Sequence, residues 1–106
     1  MVTRGDIWLV ALNPTRGSEI QKTRPCVIVS PPEIHDYLRT VIVAPMTSNG
    51  RQVPFRIPVT FRQKDGLILL DQIWTVDKVR PVRKEGAVPE ETLNETLTTL
   101  QEVFAE

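Results

Sequence analysis

The chain has 106 residues, 41% of them hydrophobic and 25% charged, with thirteen Lys/Arg against thirteen Asp/Glu and a net charge of zero. That length suits one domain, residues 1–106, with a modest core, and the longest apolar run, Ile7 to Leu12, is far too short to span a membrane. One cysteine, Cys26, and one histidine, His35, argue against a disulfide framework and against a metal-ligating cluster. The start of the chain carries no charged-then-apolar signal segment, so the expectation is a cytoplasmic protein without metal or cofactor.

Ile7 to Leu12 is short, aromatic and β-branched and reads as a strand. Residues 13–25 follow without hydrophobic periodicity, and Cys26 to Ser30 reads as a second, buried strand. Pro31-Pro32 punctuates, Glu33 to Leu38 suits one helical turn, and Thr40 to Pro45 is a third strand ending in the turn Ser48-Asn49-Gly50. Phe55 to Phe61 alternates like a half-wet strand, which Pro58 confines to an edge or a bulge. Asp65-Gly66 marks a turn, Leu67 to Val76 a long strand broken by Asp71-Gln72, and Arg80 to Arg83 a last short strand. Glu90 to Phe104 places Leu93, Leu97, Leu100 and Phe104 at helical spacing, with acidic Glu90-Glu91 at its start. Five or six short strands and a terminal helix make a mainly β (α+β) fold, a small bent antiparallel sheet or barrel.

The long loop carries most of the chemistry. Long ordered loops between strands are more often functional than accidental. Pro25 disfavours helical backbone at Arg24, so the guanidinium is presented from the root of a strand. Glu19 and Arg24 together supply a base and a phosphate clamp, a combination suited to a phosphodiester. The charge distribution agrees: residues 1–64 hold nine Lys/Arg and four Asp/Glu, a balance of +5, and residues 65–106 hold four and nine, a balance of −5. A basic face built from the first half suits phosphate contacts, while an acidic terminal helix is the plainer explanation.

Gly5-Asp6-Ile7-Trp8, Gly17-Ser18-Glu19 followed by Thr23-Arg24-Pro25, Pro45-Met46-Thr47-Ser48, and Asp71-Gln72 together resemble the MazF/PemK toxins, the ribonuclease halves of bacterial toxin–antitoxin pairs. The resemblance runs from about Arg4 to the terminal helix. It implies the SH3-like barrel shared by MazF/PemK and CcdB toxins, a homodimer, metal-independent cleavage of single-stranded RNA to 2′,3′-cyclic phosphate and 5′-hydroxyl ends, and inhibition by a small MazE-like antitoxin. It places the catalytic arginine at Arg24 and the active-site threonine at Thr47, with Glu19 as base or as the partner that holds Arg24. Asn13, Thr15, Lys22, Thr23 and Ser48 join Asp71, Gln72 and Trp74 as candidate RNA-binding residues.

Each assignment has a plainer alternative. Arg24 can be a strand-end arginine paired with a carboxylate, Thr47 can cap the turn with Ser48 and Asn49, and Asp71 can be a sheet-face carboxylate bonded to arginine or threonine neighbours. Trp8 suits core or interface packing, whereas Trp74 is equally suited to packing and to base stacking. His35 reads as a surface residue and Cys26 as a small core residue. One branch of the family carries a histidine before the loop glutamate and an arginine two residues before the aspartate. Ser18 and Leu69 stand there, so only the Arg24–Thr47 scheme transfers intact. A CcdB-like gyrase binder ends in tryptophan, glycine and isoleucine, unlike Val103-Phe104-Ala105-Glu106; a barrel that binds RNA without cutting it is the other rival.

Overall fold

The computed structural model describes residues 2–11 and 23–106. Seven strands form a curled antiparallel sheet: β1 Asp6–Ala11, β2 Thr23–Ile28, β3 Thr40–Thr47, β4 Arg56–Phe61, β5 Lys64–Leu69, β6 Trp74–Asp77 and β7 Pro81–Ala87. Two helices join them, α1 Pro32–Tyr37 between β2 and β3, and α2 Glu90–Val103 at the end. The strand order is β4-β5-β3-β2-β1-β7, with β6 also paired to β3.

β3 is the strand on which the sheet bends. Its first half, Thr40 to Val43, pairs with β6, and its last residues, Met46 and Thr47, pair with β5. Pro45 lies between the two ladders, where the missing N–H costs no hydrogen bond on that edge. The break between β5 and β6 is a 3-10 turn over Leu70–Gln72, so the sequence from Leu67 to Val76 supplies two strands instead of one. Pro58 sits in β4, at the edge of the order, as its missing donor demands.

Strand alternation divides the apolar side chains into two clusters. Ile7, Val27, Val29, Ala44, Met46, Ile57 and Ile68 pack on one face, against which Leu93 and Leu100 of α2 lie. Val10, Cys26, Ile28, Val41, Val43 and Val76 pack on the other, flanked by Trp8 and Trp74. Cys26 is fully buried, and that burial pushes its thiol up to about 12.

Three expectations need correction. The turn foreseen at Asp65-Gly66 lies instead at Arg62-Gln63, and Asp65 and Gly66 belong to β5. Gly66 is small for another reason: a Cβ there would sit 2.6 Å from the Thr47 carbonyl oxygen, so the close approach of β3 requires glycine. His35 is buried at 5% exposure, its Nε2 2.6 Å from Ser30 Oγ, and is not a surface residue. Phe104 is 72% exposed because α2 ends at Val103, and Thr96 is the buried residue of that helix.

Candidate active site

Register brings the two key residues together. β2 and β3 pair Cys26 with Pro45 and Val27 with Ala44. Continuing that antiparallel count by two residues sets Arg24 across from Thr47. Both then share the sheet face of Cys26 and Val43. Across β1, Arg24 is paired with the buried Val10 and Pro25 with Leu9. The extended backbone expected of a residue before proline is therefore fixed by the β1 ladder.

Arg24 and Thr47 line a cleft of about 430 Å³ whose far wall is the β4–β5 hairpin. That wall contributes Phe61, Arg62, Lys64 and Asp65, none of them foreseen. The polar triplet Arg62-Gln63-Lys64 between two apolar runs was the available signal, masked by the more familiar Asp-Gly turn pair. Three cations and one carboxylate thus border the cleft among the described residues. Asp65 is itself held by Thr60, whose Oγ1 donates to its Oδ1 at 3.0 Å.

Thr47 Oγ1 donates to the Asn49 carbonyl at 2.7 Å and accepts the Asn49 N–H at 3.1 Å. The turn-capping geometry is therefore present, and it fixes the oxygen at the mouth of the cleft. The N–H of Asn49 can keep holding that oxygen while the hydroxyl proton turns to another acceptor. Gly50 follows directly: a Cβ there would lie 3.1 Å from Thr47 Cγ2 and 3.7 Å from Arg56 Nη1.

Arg56 leads to the remaining candidates. Its guanidinium makes a two-bond fork with Asp71, Nε to Oδ1 at 3.1 Å and Nη2 to Oδ2 at 3.0 Å, and Nη1 donates to the Arg51 carbonyl. That fork holds the Asp71 carboxyl below the usual carboxylate range. The arginine partner is the plainer alternative for Asp71, which lies beyond Gly50 and not on the cleft wall. Gln72 is exposed at the end of the 3-10 turn. Trp74 is half-buried and paired with Val43, on the same sheet face as Arg24 and Thr47. Ser48 lines the cleft and Thr23 is exposed beside it. Asn13, Thr15, Glu19 and Lys22 lie outside the described residues.

Residues 3–104 match the family described as PemK-like, MazF-like toxin of type II toxin-antitoxin systems. The chain belongs to that family. Over 107 aligned residues it is 38% identical to the endoribonuclease PemK of Escherichia coli, covering 95% of this chain and 80% of the relative. Two solved structures from Deinococcus radiodurans share the PemK/MazF fold. MazF superposes with a TM-score of 0.77 at 21% identity, over 96% of this chain and 94% of that one. A MazE-MazF complex gives 0.81 at 21% identity, over 96% and 94%. The curled sheet with its terminal helix is thus the PemK/MazF architecture, and no described helix is long and apolar enough to cross a membrane.

Proposed function

We propose that this PemK/MazF family member is a metal-independent, sequence-selective endoribonuclease that cuts single-stranded RNA by attack of the 2′-hydroxyl on the adjacent phosphate. The products are a 2′,3′-cyclic phosphate and a 5′-hydroxyl. The observation that carries this reading is that Arg24 and Thr47, on neighbouring strands, line one cleft. The reaction needs donors for the crowded, doubly charged phosphorane, a base for the 2′-hydroxyl and an acid for the departing 5′-oxygen.

Arg24 supplies the donors, its planar fork matching two non-bridging oxygens. Thr47 adds a third by turning its proton away from the Asn49 carbonyl. Arginine stays protonated, so its part is charge stabilisation, and Glu19 either accepts the 2′-proton or orients Arg24. Orientation is the preferred role. Glu19→Gln should then keep the shape of the pH–rate profile, whereas a base at that position requires the acid limb to flatten.

Single-stranded RNA is the substrate because splayed bases can be read in a groove. Gln72 and Trp74, with Asn13, Thr15, Lys22, Thr23 and Ser48, are the residues for such contacts, and Asp71 fixes their neighbour Arg56. In the cytoplasm the toxin acts as a homodimer and is silenced by a MazE-like antitoxin. The +5 balance of residues 1–64 suits an acidic, flexible inhibitor that orders over the cleft and competes with RNA.

The test is incubation of the purified protein with several long single-stranded RNAs in EDTA, followed by mapping of the cut ends. Cuts at one short recurring sequence with cyclic-phosphate ends are expected. Dependence on added Mg²⁺, or no cleavage of any RNA, would overturn the reading.

A further inference from the structure

The β4–β5 hairpin turns through Arg62 and Gln63, both in left-handed backbone, with φ of 54° and 66°. Two-residue hairpin turns that need positive φ at both positions ordinarily use Asn and Gly. Side chains with a full Cβ cost about 1 kcal/mol or more each there. The strain is held in place by specific contacts. Arg62 Nη2 lies 2.8 Å from Glu85 Oε2, and that glutamate side chain is only 6% exposed. Arg83 Nε reaches the same oxygen at 3.2 Å. The Arg62 guanidinium carbon also lies 5.1 Å from the centre of the Phe61 ring, which forms part of the cleft wall. A carboxylate on β7, buried but for its two arginines, thus fixes a cation at the rim opposite Arg24, although Arg62 itself stays 59% exposed.

From this geometry, and resting on the RNA-cleaving reading above, we propose that Arg62 is a second phosphate-binding cation of the cleft. It holds a phosphate next to the one that is cut, and Glu85 is its positioning residue. Arg24 serves the reacting phosphate, while Arg62 sets the strand's path across the hairpin wall. Lys64, on the same wall, has no such anchor among the described residues. The guanidinium has five donors, and the Glu85 contact through Nη2 leaves others for a phosphate oxygen. Because its geometry is set before RNA arrives, little side-chain freedom is lost on binding.

The experiment uses RNA oligonucleotides spanning a mapped cleavage site, with one flanking phosphate at a time replaced by a neutral methylphosphonate. In the wild-type protein one such replacement should raise KM roughly 2- to 5-fold, the upper part of the range of a partly exposed ion pair. Arg62→Ala should raise KM for the natural oligonucleotide by a similar factor, leave kcat unchanged, and be insensitive to that same methylphosphonate, since one lost contact cannot be lost twice. Its affinity for a non-cleavable analogue should lose a salt-dependence slope of about 0.7, one single-strand phosphate contact. Arg62→Lys should retain part of the effect, and Glu85→Gln should raise KM in the wild type but not in the Arg62→Ala background. Melting temperatures show whether each variant is folded. If Arg62→Ala lowers the melting temperature but keeps wild-type KM, or every methylphosphonate penalises it as it does the wild type, Arg62 is only a structural tie and the proposal fails. If the wild type cuts no RNA, the functional reading fails first and this inference falls with it.

Discussion

The two ends of β3 carry similar chemistry in opposite settings. Near its start, Ser30 Oγ lies 2.6 Å from His35 Nε2 and accepts the Ile42 N–H at 2.9 Å, with Ser30 2% and His35 5% exposed. At its finish, Thr47 Oγ1 exchanges hydrogen bonds with Asn49 at the mouth of an open cleft facing Arg24. By residue type the first pair is the better nucleophile and base. Burial reverses that ranking: the Ser30 hydroxyl is 2% exposed and bonded to both the Ile42 N–H and the imidazole, so although His35 borders a pocket with Trp8, Asp36 and Lys78, the hydroxyl itself is occupied by the fold. A reactive pair is therefore recognised by what reaches it, and a serine beside a histidine can be purely architectural.

Substitution at the open end should produce the largest functional effects. Arg24→Ala should lower cleavage by ~10²–10³-fold or more while leaving the melting temperature near that of the wild type. Thr47→Val should lose a comparable factor and Thr47→Ser should recover most of it, as a role for the hydroxyl and not the methyl requires. Near-wild-type cleavage by Arg24→Ala would erase the distinction between the two ends.

The closed end should respond in the opposite sense. Ser30→Ala removes the acceptor of the Ile42 N–H and the partner of His35 Nε2, a loss of about 1–3 kcal/mol of stability, with cleavage per folded molecule unchanged. Its pH dependence sharpens the point. Burial, then the nearby Lys78, lowers the His35 pKa from 6.5, with Arg4 acting the same way and the Val2 backbone and Asp36 opposing. The unfolded chain therefore binds a proton that the folded one refuses. Stability should be full above about pH 6.5 and fall as the pH drops below it. Chemical denaturation at pH 7.5 and 5.5 measures this, and His35→Gln should flatten that decline; an unchanged slope would remove His35 as its source.

The smallest effect concerns the neighbour of the open site. Asp71→Asn should weaken the fork to Arg56 and lower the melting temperature slightly, since the pair is partly solvated. The depressed Asp71 pKa makes this contribution present above the ordinary carboxylate value of 3.8 and lost as pH falls through the lower folded value. At pH 7 the variant should differ from wild type, and in strong acid the two should converge.

Much of this arrangement was readable from residue order, for reasons that differ by element. β1, β2 and β3 are short β-branched runs bounded by polar or proline residues, so local preference and tertiary structure agree. Arg24 could be placed because proline constrains its predecessor. The hairpin wall could not. Asp65-Gly66 has turn chemistry, yet Gly66 answers to the Thr47 carbonyl from a strand distant in sequence, and Arg62-Gln63 adopts a backbone its residue types disfavour. Phe104 obeys helical spacing but follows the last helical residue. His35 looked solvated because nothing nearby in sequence predicts Ser30 as its partner.

The pairing of β1 with both β2 and β7 also fixes when the protein can come into being during synthesis. Arg24 and Thr47 emerge early, but the second edge of β1 waits for Pro81 to Ala87, where Asp6 meets Ala87 and the Val88 N–H reaches the Gly5 carbonyl. Leu93 and Leu100 of α2 close the core later still. A chain still on the ribosome, or one terminated before Pro81, therefore carries every residue of the Arg24–Thr47 pair on a sheet with an open edge and an uncovered core. The Arg24–Thr47 pair thus depends, for the closure of its sheet and core, on contacts made by residues 81–100, far along the chain from either.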